Sequence, residues 1–507
     1  MILPGYQHLH PYVGDLHSHC AVSYGHGSLE DAYHNAQSQL DFASVTVHAL
    51  WPDMPEDDSR LAAVSDYHRQ GFRRAAENWP HYREMTNAVN ENGRFVTFQS
   101  FEWHSMHSGD HNVYFKGDHG EIFPAPDIES MRARLRLLAA QGLSTFLIPH
   151  HIGYTSGYRG IRWQEFTPEF SPVVEMYSMH GCAESDDAPY PYLHTMGPRD
   201  GRSTIHHGLR LGHTFGLIGS TDHHSAHPGS YGHGRLGVWA RELTRAGIWE
   251  AIAARRTYAL TGDRIALAFS LNGHPMGSVL PPTDERQIDV SVIGGSVIDY
   301  VELLFNNRPL HRWSAHESAA PDPDQPVKVF LELGWGEQRA DVDWRVELTV
   351  ANGTLLTVEP RLRGRDVVAP QAELDDRFVF SSWARPDAHQ VELTTRTWQN
   401  PTTVTPATQG ICLEIQGGSE TRLSGRINDQ PVALTLADLT EGARAGYLGG
   451  FLSPAYRFHR AAAHVEYTRE ATFRHQPDGP GRDWYALRVR QQNGQWAWSS
   501  PIWVEGR

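Results

Sequence analysis

The feature of this sequence that most constrains its fold is a series of short β-type runs, each of which lies beside a histidine or a carboxylate. Helical patterns separate several of these runs. The seven runs are YVGDLHSH (12–19), FASVTVHA (42–49), RFVTFQSFEW (94–103), HNVYF (111–115), STFLIPHH (144–151), PVVEMYS (172–178) and FGLIGSTDHH (215–224). Strands that alternate with helices predict βα units and a mainly parallel sheet. We therefore expect an α/β fold, a distorted seven-stranded (β/α) TIM-like barrel.

Three helices are predicted between these strands. Residues 28–40 begin with Ser28 as a cap and carry acidic residues in the first turn. Residues 127–142 end on a glycine, as a helix C-terminus commonly does. Residues 246–256 form the third helical pattern.

The pattern changes near residue 265, where helical periodicity nearly vanishes and alternating strands dominate. Pairs such as Asn352–Gly353 and Asn493–Gly494 end or separate these runs, as in hairpins. This half predicts an all-β, sandwich-like region. The expected domains are a metal-binding barrel over 1–264, a β-sandwich-like domain over 265–375 and a β-rich domain over 376–507. The last two domains also fit a single unit.

Composition excludes some classes of protein. The net charge is −15 with histidine neutral, which opposes nucleic-acid and anionic-membrane binding. Three scattered cysteines form no disulfide framework, so we expect a reducing compartment, the cytoplasm. The N-terminal residues show no signal-peptide pattern, and no apolar run is long enough to span a membrane. The expected partner is a small-molecule substrate, and a homo-oligomer is compatible with the sequence.

Histidine is concentrated in the first half: 24 of the 31 histidines lie in the first 233 residues. Neutral imidazole is the commonest metal ligand in proteins. Residues two apart on a strand point to the same side, which pairs His17 with His19 and Asp222 with His224. In a βα barrel the C-terminal strand ends converge on one face, so ligands distant in sequence would meet there. The candidate metal ligands are His17, His19, His26, His48, Glu102, His111, His150, His151, Asp222 and His224, and Glu175 is as consistent with an ordinary strand carboxylate as with a ligand.

Several of these segments together resemble the polymerase and histidinol phosphatase (PHP) superfamily. Asp15-Leu16-His17-Ser18-His19 resembles its first motif, and the run ending at His48 resembles its second, with Val47 where the family usually has aspartate. The remaining matches are QSFEWH with Glu102, HNVYF with His111, FLIPHH with His150 or His151, and GSTDHH with Asp222 and His224. The resemblance covers residues 12 to about 264. The C-terminal half resembles an uncharacterised branch of PHP-like proteins.

The resemblance implies two or three divalent ions, with Glu102 bridging metals. Imidazole and carboxylate ligands suit Mn²⁺, Zn²⁺ or Fe²⁺. Such ions can share a hydroxide that attacks a substrate bond at neutral pH. The expected activity is metal-dependent hydrolysis, and a phosphoester is the first bond expected to be cleaved. The family's further ligand after the first motif would fall near His26, and the fifth strand leaves His150 and His151 as alternatives.

Other residues are candidates for catalysis or substrate binding. His48 or His223 is a candidate general acid, and Arg235 is a candidate catalytic cation at the rim. Candidate contacts to a phosphorylated or sugar-like substrate are Tyr154, Arg159, Arg255 and Arg256.

Two alternatives stay open from the sequence. The first is a metallohydrolase of another bond, a glycoside, an ester or lactone, or an amide, because fold does not dictate substrate. The second is a non-catalytic protein that binds carbohydrate or another protein through its β half. A sugar platform would use Trp398, Trp484, Trp496, Trp498 and Trp503.

Overall fold

The computed structural model describes residues 3–316, 322–337, 340–365, 377–398 and 406–507. Within them the chain is mixed α/β with more strand than helix. No helix in these ranges combines the length and the apolar character needed to cross a bilayer. The predicted boundary between residues 375 and 376 lies outside the described residues.

The first half contains short strands and most of the helix. Its strands are β1 (His10–Asp15), β2 (Phe42–Ala43), β3 (Val47–Leu50), β4 (Val96–Thr97), β5 (Gln99–Trp103), β6 (His111–Phe115), β7 (Thr145–Pro149), β8 (Val173–Ser178), β9 (Gly181–Cys182), β10 (Gly216–Gly219), β11 (Arg235–Ala240) and β12 (Thr257–Leu260). Its α-helices are α1 (Leu29–Gln37), α2 (Ala62–Val89), α3 (Ile128–Ala140), α4 (Ile205–Arg210) and α5 (Arg245–Ala253). Single 3₁₀ turns span Ser59–Leu61, Trp163–Glu165 and Gly201–Ser203.

Three of these helices match the sequence predictions, and their caps explain their starts. The Ser28 side chain accepts from the Asp31 amide, and the Asp31 carboxylate accepts from the Ser28 amide, which is a capping box before α1. Asp127 caps α3 in a similar way. The long helix α2 was not among the predicted elements. It continues through an internal Pro80.

The strands of the first half belong to three sheets, and further hydrogen bonds connect these sheets. β1, β2 and β4 pair in parallel, as do β3 with β5 and β8 with β10. β6 runs antiparallel to both β5 and β7, which departs from a uniformly parallel order. The Leu147 amide donates to the Phe170 carbonyl beside β8, and the Asp222 amide after β10 donates to the His17 carbonyl after β1. These bonds are what a closed barrel would require, and barrel closure stays a prediction.

The second half is almost entirely strand. Its strands are β13 (Ala266–Leu271), β14 (His274–Pro275), β15 (Val279–Leu280), β16 (Arg286–Ile293), β17 (Ile298–Phe305), β18 (Arg308–Ser314), β19 (Pro326–Gly334), β20 (Val342–Ala351), β21 (Thr354–Arg361), β22 (Ser382–Ala384), β23 (Gln390–Thr397), β24 (Gln409–Gln416), β25 (Arg422–Ile427), β26 (Gln430–Thr435), β27 (Arg444–Tyr447), β28 (Ala455–Phe458), β29 (Ala462–Ala463), β30 (Thr468–His475), β31 (Asp483–Gln491), β32 (Trp496–Ser499) and β33 (Ile502–Val504). Two short helices, α6 (Leu436–Glu441) and α7 (His464–Tyr467), interrupt them.

Two sheets of this half share one apolar core. One sheet has the order β21-β24-β19-β28-β27 and the other β22-β23-β20-β25-β26. Alternate residues of β20 are buried, because one face of the strand packs inward. Valines and leucines from both sheets, such as Val329 and Val346, belong to the same buried cluster. The sandwich-like topology and the domain limits remain predictions.

The two halves are joined by a sheet that crosses residue 264. β12 pairs with β11 on one side and with β32, near the C-terminus, on the other. The last strands of the chain therefore pair with the final strand of the first half. Trp498 and Trp503 are buried in this region, so they serve as core residues and not as a sugar platform. Trp484 and Trp496 pack against the same cluster, and Trp398 packs against Phe380.

Candidate metal centre

The segments after β1 and β10 are held side by side, which brings the two sequence motifs at the ends of the first half into contact. The Asp222 amide donates to the His17 carbonyl and the His19 amide donates to the His223 carbonyl, each at 2.7 Å. Residues His17, His19, Asp222 and His224 are all buried. The main chain thus fixes the register of the H-x-H and D-x-H pairs.

Four side-chain atoms converge at this point. His17 Nε2 and His19 Nε2 are 3.1 Å apart, and they lie 3.4 Å and 3.0 Å from Asp222 Oδ1. Glu102 Oε2 lies 3.7 Å from His17 Nε2 and 3.5 Å from His19 Nε2. Ligand atoms placed tetrahedrally around Zn²⁺ at about 2.1 Å are about 3.4 Å from one another. The separations in the cluster therefore fit the cage of one divalent cation.

Glu102 connects this cage to further imidazoles. Its Oε1 lies 2.9 Å from His150 Nε2 and 3.1 Å from His104 Nδ1, whereas its Oε2 lies 3.4 Å from His48 Nε2. Glu102 Oε2 is fully buried and has no hydrogen-bond partner among the described residues. A buried carboxylate oxygen without a partner is costly unless a cation meets it. The two oxygens of Glu102 thus face two sets of ligand atoms, as a bridging carboxylate does.

Asp110 supplies a second carboxylate. Its Oδ2 lies 3.2 Å from both His104 Nδ1 and His151 Nε2 and accepts a bond from Arg159 Nε at 2.7 Å. Asp110 was not predicted as a site residue, nor was His104 assigned as a ligand. Glu102, Asp110, His150 and His151 place ligand atoms within 4.8 Å of one another.

His150 and His151, the two alternatives that the sequence left open, each place a ring nitrogen close to a carboxylate of the cluster. His151 has φ of +30°, an uncommon value for a residue with a side chain. This backbone turn redirects its ring toward Asp110. Asp222 has φ of +54°. Such conformations persist where the surrounding structure enforces them, typically at functional sites.

A third group of ligand atoms belongs to His19, His48 and His224. The His19 and His48 rings stack with centroids 3.6 Å apart, and Tyr24 stacks on the other side of His48 at 3.5 Å. The His48 Nε2 atom therefore lies among ligand atoms, a position that favours metal binding over the general-acid role also predicted for it.

Outer residues orient the imidazoles through their second nitrogen atoms. His17 Nδ1 lies 3.0 Å from Glu175 Oε2, and His19 Nδ1 lies 2.8 Å from the Thr46 carbonyl. His224 Nδ1 lies 2.8 Å from the Asp222 carbonyl. Partners of this kind fix the tautomer and ring direction of metal-ligating histidines. Glu175 therefore orients His17, and the structure shows it outside the groups of ligand atoms.

Charge is unevenly distributed within the cluster. Burial raises the pKa of Glu102, but the imidazoles of His104, His150 and His48 outweigh it and hold the pKa well below its usual range. Burial and the neighbouring His17 lower the pKa of His150 well below its usual value. Burial and His19 do the same for His48. Ionised carboxylates and neutral imidazoles are the forms that bind metal. The directions for Glu102, His150 and His48 agree with this, whereas at His17 burial is outweighed by Asp222 and Glu175, which raise the pKa well above its usual value.

A cavity of about 130 Å³ opens onto the cluster. Besides ligand residues, its walls include Tyr24, Arg159, His180 and His194. His180 Nε2 lies 2.9 Å from Asp222 Oδ2, and Tyr154 Oη lies 2.8 Å from His180 Nδ1. The predicted residue Arg159 thus lines the cavity, whereas Tyr154 is buried behind His180 and is not part of the lining. His180 and His194 are additions that sequence reasoning missed.

The structure does not bring His111 or His26 into the cluster. His111 Nδ1 lies 2.9 Å from the Gly109 carbonyl, and its ring faces a small recess with Arg132 and Glu165. Trp103 is the cross-strand partner of His111, so the two side chains share the face opposite to Glu102. The His26 ring lies by Phe378 and an open surface recess.

The predicted catalytic residues His223 and Arg235 also point away from the site. His223 alternates with the flanking Asp222 and His224, and its ring packs against Gly364. Arg235 is fully buried and donates to the Gly229 carbonyl and to Gln39 Oε1, which is a structural role.

Arg255 and Arg256 lie elsewhere as well. Arg255 donates to the Gly277 carbonyl, and Arg256 donates to the Trp239 carbonyl and pairs with Glu250. Both arginines bind the backbone at the junction of the halves, which explains why a basic pair occurs there without contact to a substrate cavity.

The chain resembles proteins whose own functions are not described. The model of a family described as a protein of unknown function (DUF3604) matches residues 230–275. An uncharacterized protein of Chlamydia pneumoniae is 25% identical over 260 residues, which are 46% of this chain and 40% of that protein. An uncharacterized protein of Chlamydia muridarum is 30% identical over 169 residues, 30% of this chain and 27% of that protein. The matched parts span less than half the length of these relatives.

One solved structure is also similar. It is a two-domain protein from Bacteroides vulgatus containing a predicted PHP-like metal-dependent phosphoesterase, with a TM-score of 0.33 and 13% identity. The similarity covers 85% of this chain and 97% of that protein.

Proposed function

We propose that this chain is a metal-dependent hydrolase with its metal centre in a barrel of the PHP type. The bond that we propose first as its target is a phosphoester. The observation that carries the proposal is the position of Glu102. One carboxylate group faces His17, His19 and His48 with one oxygen and His104 and His150 with the other, and the first of these oxygens has no protein partner.

The donor set fits divalent cations of the Mn²⁺, Zn²⁺ or Fe²⁺ type. Three overlapping groups of ligand atoms combine imidazole with carboxylate, and none includes a thiolate. Bound there, two or three such ions would supply Lewis-acid polarisation and a nucleophile derived from water at neutral pH. The first-choice ligands are His17, His19, Glu102 and Asp222, with His48, His224, His104, His150, His151 and Asp110 completing the set.

Arg159 supports an anionic substrate. Its Nε and Nη2 atoms donate to Asp110, whereas among the described residues Nη1 bonds only to the sulfur of Met196, at 3.0 Å. Sulfur is a weak acceptor, so this N–H group can donate to a substrate oxygen in the cavity. A guanidinium beside a metal centre suits the charge of a phosphoryl group.

His180 is the residue placed to hold or move a proton. Its Nε2 atom faces Asp222 and its Nδ1 atom faces the Tyr154 hydroxyl, so both nitrogens have partners that accept or return a proton. The ring lines the cavity and does not occur in the groups of ligand atoms. We assign protonation of the leaving group to His180 and not to His223.

The test combines metal analysis with a substrate panel. Purified protein is analysed for bound metals, reconstituted with the metal found, and assayed on p-nitrophenyl phosphate, a p-nitrophenyl ester and a p-nitrophenyl glycoside. We expect metal in the wild type and hydrolysis of the phosphate, and loss of both in the His17→Ala, His19→Ala double variant.

A matched control exists in the same chain. His8 and His10 have the same spacing and are exposed, so His8→Ala with His10→Ala should leave metal content and hydrolysis unchanged. Full metal content and activity in the His17, His19 variant would overturn the proposal. Hydrolysis of only the ester or the glycoside would retain the metal centre and reassign the bond.

A further inference from the structure

A second, much larger cleft lies beside the metal centre, between the two halves of the chain. Its volume is about 940 Å³, near the upper end of the range for small-molecule sites. Tyr177, Tyr190 and Tyr231 come from the first half, and Phe330 and Arg457 from the second. The cleft therefore exists only because the halves pack together.

The cleft and the metal cavity share two segments of chain. Ser178, Met179 and Gly181 line the cleft, whereas His180 lines the metal cavity. In the same way Leu193 faces the cleft and His194 faces the metal cavity. A ligand in the cleft would thus contact the residues adjacent to the proposed proton-transfer group.

The wall of the cleft carries an arginine without a carboxylate partner. Arg363 Nε donates to the Thr408 carbonyl at 3.0 Å, and its NH1 donates to the Tyr231 carbonyl. Among the described residues it forms no ion pair. The nearby carboxylate of Glu332 is engaged by His459 at 2.8 Å and by the Thr408 hydroxyl at 2.7 Å. A half-buried guanidinium in this position is a ready site for an anion.

The remaining walls suit a hydroxylated ring. Tyr177 and Tyr190 use their hydroxyl groups to bind the Gly232 and Gly494 carbonyls. Their rings therefore serve as fixed apolar surfaces. Ser178 accepts from the His180 amide, and its O–H donates to no acceptor among the described residues. Arg457 is exposed on β28 and forms no ion pair within the described part of the chain.

We propose that this cleft binds a sugar-sized anion, a phosphorylated or carboxylated sugar, with its charged group on Arg363 and Arg457. The assignment of this ligand as substrate or product rests on the proposed hydrolase function. Binding itself does not, because the cleft residues are separate from the metal ligands. A substrate held in this way would carry its scissile phosphoester apart from the charged group in the cleft, and the cleft would select the organic part between them.

Binding is measured by titration calorimetry on the full-length His17→Ala, His19→Ala variant, in which phosphate has no metal to bind. The probes are glucose 6-phosphate, glucuronate, inorganic phosphate and glucose. We expect one of the two charged sugars to bind and glucose to bind at least about tenfold more weakly, since charge-assisted hydrogen bonds would be lost. Comparison of the two charged sugars identifies the anionic group.

Substitutions locate the site. Arg363→Met and Arg457→Ala should each weaken binding by about tenfold or more. Arg474→Ala, at an exposed position on β30 outside the cleft, should leave it unchanged. If Arg363→Met fails to fold, the binding measured for Arg457→Ala tests the proposal, because Arg457 is exposed. No binding of either charged sugar, or binding that Arg457→Ala leaves intact, would overturn the proposal.

The same variants separate this inference from the hydrolase proposal. In the metal-loaded enzyme, Arg457→Ala should raise KM for a sugar bisphosphate such as glucose 1,6-bisphosphate, in which one phosphate binds the cleft and the other reaches the metal centre, and leave kcat within about twofold, as loss of uniform binding does. Absence of all hydrolysis in the wild type would refute the hydrolase proposal while the calorimetric result stands.

Discussion

Two groups of histidines, most of them buried, lie on opposite sides of the segment 222–224, and they differ in their carboxylates. The metal-centre group faces Glu102, Asp110 and Asp222. The second group contains His223 and His227, whose ring centroids are 6.2 Å apart, and His233, 5.5 Å from His223. Neither His223 nor His227 lies within ion-pair distance of a carboxylate among the described residues.

The difference teaches that burial of imidazoles does not by itself make a metal site. Burial lowers the pKa of His223 well below its usual value and that of His227 to about 3, so both rings are neutral at pH 7. Neutral rings without anions provide ligand atoms but no charge to balance a divalent cation. The carboxylates therefore distinguish the candidate metal centre from the second group.

The largest effect should follow from removal of the connecting carboxylate. Glu102→Gln keeps the shape of the side chain but removes the charge shared by two sets of imidazoles. We expect loss of metal and a fall in kcat/KM of about 1,000-fold or more, because groups that act as a unit fail together. Metal analysis and phosphate hydrolysis measure this result. Glu84→Gln, exposed on α2, serves as the control, and unchanged activity in Glu102→Gln would remove the basis of the comparison.

Neighbouring histidines allow a sharper test, since His223 and His224 differ only in the face they occupy. An asparagine can retain the local bond made by Nδ1 but lacks an atom in the place of Nε2. His224→Asn should therefore reduce metal affinity by about 10- to 100-fold, whereas His223→Asn should leave it within about threefold. Metal titration of the two apoproteins measures both values. Equal losses in the two variants would show that the second group also supports metal binding.

The sequence predicted much of the first cluster, because its signals depend on spacing alone. The pairs His17 with His19 and Asp222 with His224 follow from strand alternation at two strand ends, and hydrogen bonds between the segments bring them together. The helices α1, α3 and α5 and most predicted strands also lie where the sequence placed them. These features are local, so a single segment contains the information for each.

The errors arise where the outcome depends on strand direction. β6 runs antiparallel to β5, with Glu102 opposite Asn112 and Trp103 opposite His111. In and next to β6, the even-numbered residues therefore share a face with Glu102. Asp110 lies on that face, and His111 lies on the opposite one. Had the antiparallel pairing been known, the GDHNV segment would have indicated Asp110. Arg235 and His223 were misassigned for the related reason that sequence alone does not show which face of a strand meets the cavity.

The smallest expected effect concerns stability and comes from the carboxylate-free group. The folded pKa of His227, about 3, lies below the ordinary value of 6.5 because burial disfavours its charge, and Arg235 adds to this effect. Below about pH 6.5 the His227 imidazole binds a proton in the unfolded chain but not in the folded chain. This difference therefore lowers the free energy of unfolding progressively as the pH falls toward 3. Between about pH 7 and pH 5 the free energy of unfolding should fall by about 2 kcal/mol through this residue.

His227→Phe should remove that part of the acid dependence, whereas His34→Phe, at an exposed position on α1, should leave it in place. Urea unfolding at several pH values measures the slopes. If His227→Phe kept the wild-type dependence of unfolding free energy on pH, His227 would be protonated in the folded chain. The two histidine groups would then differ in geometry and not in charge.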